Sequence, residues 1–205
     1  MDVKQLTGAF GAIAETMAAN TDYLVELDAR FGDGDLGISM RDGFGSVAKY
    51  LATSTETDIG MALRGCSTAF NETAPSSLGT ILSFAMMGMA KALRGKKEAG
   101  LAEMADALQK GVTLIMEKAK SKPGEKTILD SLVPGTEALN AHAQEGTKAA
   151  LEAAYAAAQE GLENTKNMVG KHGRIAYYGE QTLGSVDGGA AVGMLLFRAL
   201  QEYFA

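Results

Sequence analysis

The sequence has little of what several protein classes require. Cys66 is the only cysteine among 205 residues, so the chain cannot form an internal disulfide. Lys and Arg number 19 against 25 Asp and Glu, which argues against a nucleic-acid or membrane-surface protein, because phosphates and anionic lipids attract clustered positive charge. No apolar run is long enough to span a membrane, and no secretory signal is visible at the N-terminus. A cytoplasmic protein is expected.

Helical periodicity is what the chain does have. Apolar residues recur three or four positions apart in most segments, as in Val3, Leu6 and Phe10, whereas alternation of apolar and polar residues never persists. The pattern predicts seven or eight helices and no confident strand, within one domain of residues 1–205. The segment from Leu78 to Leu93 is apolar on nearly every side and is predicted to be buried all round.

Glycine and proline positions give further local predictions. Gly43 and Gly45 lower the helix propensity of the second helix and are expected to mark close approach of another element. The sixth helix is expected to begin with Asp130 or Ser131 as its cap, to carry Pro134 in its first turn and to end at residue 146.

Short connections predict that successive helices lie antiparallel, in an all-α up-and-down bundle or closed barrel. The loops that follow odd-numbered helices then emerge at one end of the barrel. These are the four unusual loops of the chain: the acidic segment 28–37, the small-residue segment 71–80, the breaker 121–126 and the long segment 169–186, which has no convincing period. The sequence therefore predicts that they converge on one rim.

Asp28, Asp33 and Asp35 lie within eight residues on a glycine-rich loop. Two carboxylates about 4 Å apart repel by roughly 4 kcal/mol at an effective dielectric near 20, so a loop that converges them requires a cation. Mg²⁺ fits the pattern, since it takes few protein carboxylates and keeps positions for water and substrate phosphates. The spacing leaves a second interpretation equally open, in which Asp33 and Asp35 cap the next helix while Asp28 pairs with Arg30 or Arg41.

Two other motifs fail on this loop. The run from Gly32 to Gly37 matches the pattern GxGxxG, but that fingerprint requires a preceding strand and would place a pyrophosphate against two carboxylates. An EF-hand beginning at Asp33 would put Ile38 where the loop needs glycine and Phe44 where it needs the closing glutamate.

Four sequence blocks occur in order along nearly the whole chain. They are Leu27-Asp28 with Gly32 to Gly37, then Leu78-Gly79-Thr80, then Lys122 to Thr127 with Asp130, and finally Gly173-Arg174 through Asp187-Gly188-Gly189-Ala190. In this order they resemble the nucleotide-binding L subunit, or C-terminal domain, of dihydroxyacetone kinases. The resemblance implies an eight-helix antiparallel barrel whose rim binds ADP or ATP through two Mg²⁺ ions.

The resemblance also implies roles for individual residues. Asp28, Asp33 and Asp35 would be the metal ligands, and Arg174 would be catalytic by stabilising the transferring phosphoryl group. Backbone N–H groups and hydroxyls at a helix start suit phosphate oxygens, which makes chemical sense of a phosphate loop at 73–79. The residues that would lie along the nucleotide are Leu36, Gly37, Ile38, Ser39, Thr73, Ala74, Ser76, Ser77, Ile128, Arg174, Asp187 and Gly188.

Several positions depart from the common motif of that family. The motif has histidine where this chain has Leu36, glycines where it has Asn71 and Glu72, serine where it has Ala74, and proline where it has Gly188. These departures leave the three metal-ligand aspartates in place but change residues that would contact the phosphates. The substrate therefore need not be dihydroxyacetone.

The function that the resemblance implies is that of a kinase subunit. It would present the phosphoryl donor to a small ketose or related substrate held by a separate, DhaK-like substrate-binding subunit. No general base is evident in the chain, so the chain alone is expected to be inactive. The donor is either exchangeable ATP or a tightly held ADP recharged by a phosphotransferase-system protein. Two rival interpretations are a non-catalytic nucleotide-sensing adaptor and a helical barrel that carries a lipid in its lumen.

Overall fold

The computed structural model describes residues 1–205 and contains helices but no strand. Two 3₁₀ segments, Thr165–Asn167 and Arg174–Thr182, precede the last helix. The α-helices are α1 (Val3–Ala19), α2 (Thr21–Ala29), α3 (Leu36–Thr53), α4 (Ile59–Thr73), α5 (Ser77–Ala92), α6 (Leu101–Ala119), α7 (Leu129–Ala141), α8 (Thr147–Asn164) and α9 (Gly188–Tyr203). Because α1 and α2 are two parts of one predicted helix, separated only by Asn20, the predicted eight-helix arrangement is confirmed.

Side-chain caps explain where several helices begin. Asp2 and Gln5 form a capping box at the start of α1, and the Asp58 carboxylate accepts the N–H of Met61 at the start of α4. The second carboxylate oxygen of Asp58 accepts the N–H of Gly95 at 2.7 Å. A cap satisfies an N–H that has no partner within the helix. The cap at Asp58 also ties α4 to the turn between α5 and α6.

The helices close into a barrel. Successive helices pack on one another, and α9 packs on both α8 and α1, which joins the last helix to the first. A single hydrophobic core of 42 buried residues connects all nine helices, so the apolar faces share one interior. No helix combines the length and the hydropathy that crossing a bilayer requires.

An apolar cavity of about 480 Å³ lies inside one end of the barrel. Its lining includes Met1, Leu101 and Phe204, which belong to the start of the chain, the start of α6 and the end of α9. These helix ends lie opposite the acidic loop. The cavity is therefore separate from the rim, and it is the space that the lipid-carrying interpretation would use.

The prediction that α5 is buried all round is wrong. Met87 is 39% exposed, and Thr80 and Lys91 are exposed on the same side of the helix. These positions recur at helical spacing and form a narrow face towards solvent, while Leu82 and Met86 enter the core. Methionine is apolar but does not require burial, which is why composition alone misleads here.

The predicted start of the sixth helix, α7, is also wrong. Neither Asp130 nor Ser131 is its cap, because the helix begins at Leu129, and it ends at Ala141 rather than at residue 146. Pro134 lies in the second turn rather than the first, where it cannot donate the helical hydrogen bond to the carbonyl of Asp130. Gly161 of α8 packs against that carbonyl, so closely that a Cβ there would lie 2.0 Å from the oxygen.

The two glycines of α3 differ in their surroundings. A Cβ at Gly43 would lie 2.6 Å from Cζ of Phe70, whereas nothing lies within 4 Å of a Cβ at Gly45. The prediction of close approach is confirmed at Gly43 and wrong at Gly45.

We expect Gly43→Ala to lower the free energy of unfolding by about 1–3 kcal/mol, because it overpacks a fully buried ring. Gly45→Ala is the matched control in the same helix, and it should raise the free energy of unfolding by up to about 1 kcal/mol through helix propensity. Equilibrium unfolding in urea measures both. Equal effects of the two substitutions would contradict the packing described for α3 and α4.

Candidate functional site

The loop between α2 and α3 brings three carboxylates together. One oxygen from each of Asp28, Asp33 and Asp35 lies within 4.8 Å of the others. Asp28 is the centre of the loop, since its Oδ2 accepts the N–H of Gly34 at 2.8 Å and the N–H of Asp35 at 3.1 Å. The backbone thus wraps the Asp28 carboxylate and holds the other two side chains beside it.

Glycine is required at two positions of this loop for different reasons. A Cβ at Gly32 would lie 2.2 Å from Oδ1 of Asp28, so any side chain there would displace the carboxylate. Gly34 has a φ of +76°, in the left-handed region that side chains disfavour. The glycines therefore allow the loop to fold tightly over Asp28.

The structure does not contain the alternative arrangement, in which Asp33 and Asp35 cap α3 and Asp28 pairs with Arg30 or Arg41. Asp35 stands at the N-cap position of α3 but makes no side-chain capping hydrogen bond. Arg30 and Arg41 each pair with another acidic residue and not with Asp28. The carboxylates of Asp33 and Asp35 are consequently free of the local roles that the spacing allowed.

The electrostatics of the cluster favour a bound cation. Burial raises the pKa of Asp35, and the neighbouring charges of Asp33 and Asp28 raise it further. The cation in contact is Arg174, whose Nη2 lies 2.6 Å from Oδ2 of Asp33, and both side chains are substantially exposed. One exposed guanidinium does not balance three carboxylates. The donor set, three carboxylates without a complete oxygen cage, fits Mg²⁺.

Long-range contacts link the predicted loops at this end of the barrel. Phe31, beside the aspartates, packs edge to face on Tyr178 of the long loop, with ring centroids 5.1 Å apart. His172 of the long loop meets Glu125 of the α6–α7 loop, with 2.6 Å between Nε2 and Oε2. The α4–α5 loop reaches the same end through the antiparallel order of α3, α4 and α5. Contacts therefore join three of the four loops at one rim, and helix order places the fourth at the same end of the barrel.

The start of α5 offers fewer free groups than the phosphate-loop prediction assumes. The Ser76 hydroxyl accepts the N–H of Gly79 at 3.1 Å and serves as the helix cap. Ala74 is buried, whereas Thr73 and Ser77 are exposed. The hydroxyls available to a ligand at this helix start are those of Thr73 and Ser77.

The remaining predicted nucleotide contacts lie at the starts of α3, α7 and α9. Ile38 is 46% exposed and Ser39 is half-buried, whereas Leu36, Gly37 and Ile128 are buried. A Cβ at Gly188 would lie 2.7 Å from Cδ2 of Leu36. Two positions at which the sequence departs from the kinase motif are therefore in contact, and the missing side chain at residue 188 makes room for Leu36.

A buried polar network lies beneath the rim, and it includes Lys126, to which sequence reasoning assigned no role, and Asp187, which was predicted to lie along the nucleotide. The Lys126 ammonium donates to the carbonyls of Thr165 and Ser185, each at 2.6 Å. Asp187 caps α9 by accepting the N–H of Ala190 at 2.7 Å, and burial raises its pKa to about 7. The partners of Lys126 are 39 and 59 residues away along the chain, so the only signal for it was its place in a matched block.

The pair formed by His172 and Glu125 was also missed. The hydrogen bond with His172 is the largest cause that lowers the pKa of Glu125 to about 2, with further help from the N–H of Lys122. The two residues are 47 positions apart, and no local pattern joins them. This pair connects the α6–α7 loop to the long loop.

Comparison with known proteins identifies the family of this chain. A family model described as the DAK2 domain matches residues 30–202. The chain belongs to the DAK2 domain family. The resemblance to the L subunit of dihydroxyacetone kinases is thereby confirmed.

Relatives of this DAK2 domain include subunits of nearly the same length. It is 28% identical over 188 residues to the ADP-binding subunit DhaL of the PEP-dependent dihydroxyacetone kinase of Escherichia coli K12, which covers 91% of this chain and 90% of the relative. It is 30% identical over 190 residues to the ADP-binding subunit DhaL of kinase 1 from Listeria innocua, which covers 92% and 90%. The dihydroxyacetone kinase of C. freundii, solved with AMP-PNP and Mg²⁺, matches at a TM-score of 0.78 and 23% identity, over 97% of this chain and 34% of that one. This structural match confirms the fold.

The substitution Asp187→Asn tests whether the pKa of Asp187 is raised, through its effect on the pH dependence of stability. The amide can still accept the N–H of Ala190, but it cannot titrate. The pKa of Asp187 in the folded protein is raised to about 7, so between about pH 4 and about pH 7 the carboxyl group ionises in the unfolded chain before it does in the folded one. The free energy of unfolding of the wild type should therefore fall as pH rises through this range. The facing charges, Lys126 and Asp130, are the same in both proteins.

Denaturant unfolding at about pH 5 and about pH 8 measures the effect. The free energy of unfolding of the wild type, relative to that of Asp187→Asn, should fall between the two pH values. A difference that stays constant, or that rises with pH, would contradict the raised pKa.

Proposed function

We propose that this DAK2 domain is the nucleotide-binding subunit of a dihydroxyacetone-kinase-like phosphotransferase. It presents ADP or ATP with Mg²⁺ for phosphoryl transfer to a small ketose or related substrate on a separate substrate-binding subunit. The observation that carries the proposal is the convergence of Asp28, Asp33 and Asp35 within 4.8 Å on the rim that also holds Arg174. Relatives named as ADP-binding kinase subunits over nearly the same length support it.

The acidic cluster is the proposed metal site. Asp28, Asp33 and Asp35 would hold Mg²⁺, two ions by the resemblance, and the metal would neutralise phosphate oxygens when bound. Hydrogen bonds from Gly34 and Asp35 orient the Asp28 carboxylate before any ligand arrives. The protein contributes a carboxylate group that is already folded into place.

Arg174 is the proposed catalytic residue. Its side chain is 65% exposed and lies against Asp33, so the guanidinium stands at the edge of the cluster and faces solvent. A planar guanidinium matches the oxygens of a phosphoryl group and stabilises the charge that spreads over them during transfer. Catalysis of this kind requires positioning and electrostatics rather than a protein nucleophile.

The base that takes the acceptor's proton is proposed to lie on the partner subunit. His172 contacts Glu125, and His142 contacts Glu145, so neither histidine contacts the acidic cluster. The nucleotide itself would contact the exposed surface of Ile38 and the hydroxyls near the start of α5. Leu36 and Ile128 are buried and would meet it only at their edges.

Two experiments separate this function from its alternatives. Mass spectrometry of gently purified protein reports retained ADP, and assays with a substrate-binding subunit then compare ATP with a phosphotransferase-system phosphoprotein as donor. Phosphorylated product with either donor supports the kinase subunit. A protein that binds nucleotide but gives no product with any donor or acceptor supports the nucleotide-sensing adaptor instead.

Arg174→Ala is expected to lower kcat of the complete kinase by about 10³-fold or more, and to weaken ADP binding far less. Arg174→Lys keeps the charge without the planar fork and should restore only part of the rate. Arg94→Ala changes an exposed arginine at the other end of the barrel and serves as the control. A kcat for Arg174→Ala equal to that of the wild type would exclude the assigned role.

A further inference from the structure

We propose that Lys126 is a positioning residue that holds the N-terminal turn of α9, residues 187–189, against the start of α7 and so shapes the nucleotide face of the rim. This inference rests on the proposed function. It assigns a role to a buried cation that makes no contact with the acidic cluster.

Lys126 is unusual among lysines in both its burial and its backbone conformation. Its side chain is 1% exposed, although charged side chains are rarely buried completely unless they have partners. Its φ of +60° is a left-handed conformation that costs a non-glycine residue free energy. The surrounding structure must compensate both costs, which indicates that the ammonium is held for a specific contact.

The two carbonyls that accept from Lys126 lie at opposite ends of the connection between α8 and α9. Thr165 follows the end of α8, and Ser185 stands two residues before Asp187. The Thr165 hydroxyl oxygen also accepts the N–H of Asp187, at 3.0 Å. One cation and one threonine thus fasten both the beginning and the end of the long loop to the α6–α7 loop.

Two buried acidic residues, Asp130 and Asp187, influence Lys126. Asp130 accepts the N–H of Thr127 at 2.7 Å and that of Gly124 at 2.5 Å, and these bonds fold the loop that carries Lys126. Burial lowers the pKa of Lys126, while the charges of Asp187 and Asp130 oppose that shift. Both carbonyl oxygens within reach of the Lys126 nitrogen are acceptors, so the geometry requires Lys126 to donate to them.

The turn held in this way packs directly on the start of α7. A Cβ at Gly189 would lie 3.1 Å from the backbone nitrogen of Ile128, and a Cβ at Gly188 would meet Leu36. The start of α9 and the start of α7 are therefore closely packed, with no room for an added side chain between them. Loss of the Lys126 contacts should consequently shift Gly188 and Asp187 relative to Ile128, while the wrapped carboxylate of Asp28 keeps its own backbone hydrogen bonds.

Lys126→Met in the full-length chain tests the proposal, with Lys122→Met as a matched control at an exposed lysine of the same loop. Lys126→Met removes the donor to both carbonyls, so we expect at least about tenfold weaker binding of Mg²⁺-ADP in calorimetry. Mn²⁺ binding without nucleotide should be unchanged, because the aspartates do not depend on Lys126. Lys122→Met should match the wild type in both titrations.

Hydrogen exchange distinguishes a local tether from general destabilisation. Lys126→Met should lose protection at residues 184–191 while α4 and α5 keep theirs. Thr165→Val is the second variant if Lys126→Met does not fold. It removes the hydroxyl that accepts the N–H of Asp187 and donates to the carbonyl of Leu162, and it should show the same local loss at residues 184–191. Wild-type ADP affinity in a folded Lys126→Met protein, or protection lost equally in every helix, would overturn the proposal. If the wild type itself binds no ADP, the proposed function fails, while unchanged exchange at residues 184–191 would separately refute the tether.

Discussion

Repulsion among three carboxylates on one short loop is the constraint on which the rim depends. One carboxylate oxygen from each of Asp28, Asp33 and Asp35 lies within 4.8 Å of the others, and this proximity costs electrostatic free energy unless the charges receive compensation. The backbone supplies part of it by donating two N–H groups to Asp28, and Arg174 supplies part through Asp33. Burial raises the pKa of Asp35, and the charges of Asp33 and Asp28 raise it further, so some repulsion remains after this compensation. A divalent cation would complete it, and this connects a structural imbalance to a proposed phosphate-binding function.

The rim has an exposed half and a buried half with different tasks. On the exposed half, Arg174 and the aspartates are available to a ligand and to a partner subunit. On the buried half, Lys126 and Asp187 are withdrawn from solvent and fix the loops from below. The contacts of α9 with α1 and α8 close the barrel beneath the rim, and the packed helices fix the positions from which the rim loops extend. Such a division suits a protein that positions a phosphoryl group rather than reacting with it covalently.

Local pattern was sufficient for the helices and for the topology of the rim, but not for contacts between distant segments. The convergence of the loops at one end of the barrel follows from helix order alone. Gly43 and Gly45 look alike in sequence, and only the position of Phe70 distinguishes them. Pro134 was placed in the wrong turn because Asp130 resembles a cap, whereas its carboxylate folds back to the preceding loop. Lys126 and His172 find their partners 39 to 59 residues away, beyond the reach of any periodicity.

The most direct test of the central claim is calorimetric titration of ADP with and without Mg²⁺, on the wild type and on Asp33→Asn and Asp35→Asn. These substitutions keep the size of each side chain and remove one negative charge. The account predicts tight ADP binding that requires Mg²⁺ in the wild type and is strongly weakened in both variants. An affinity for ADP that changes neither with Mg²⁺ nor with either substitution would contradict it.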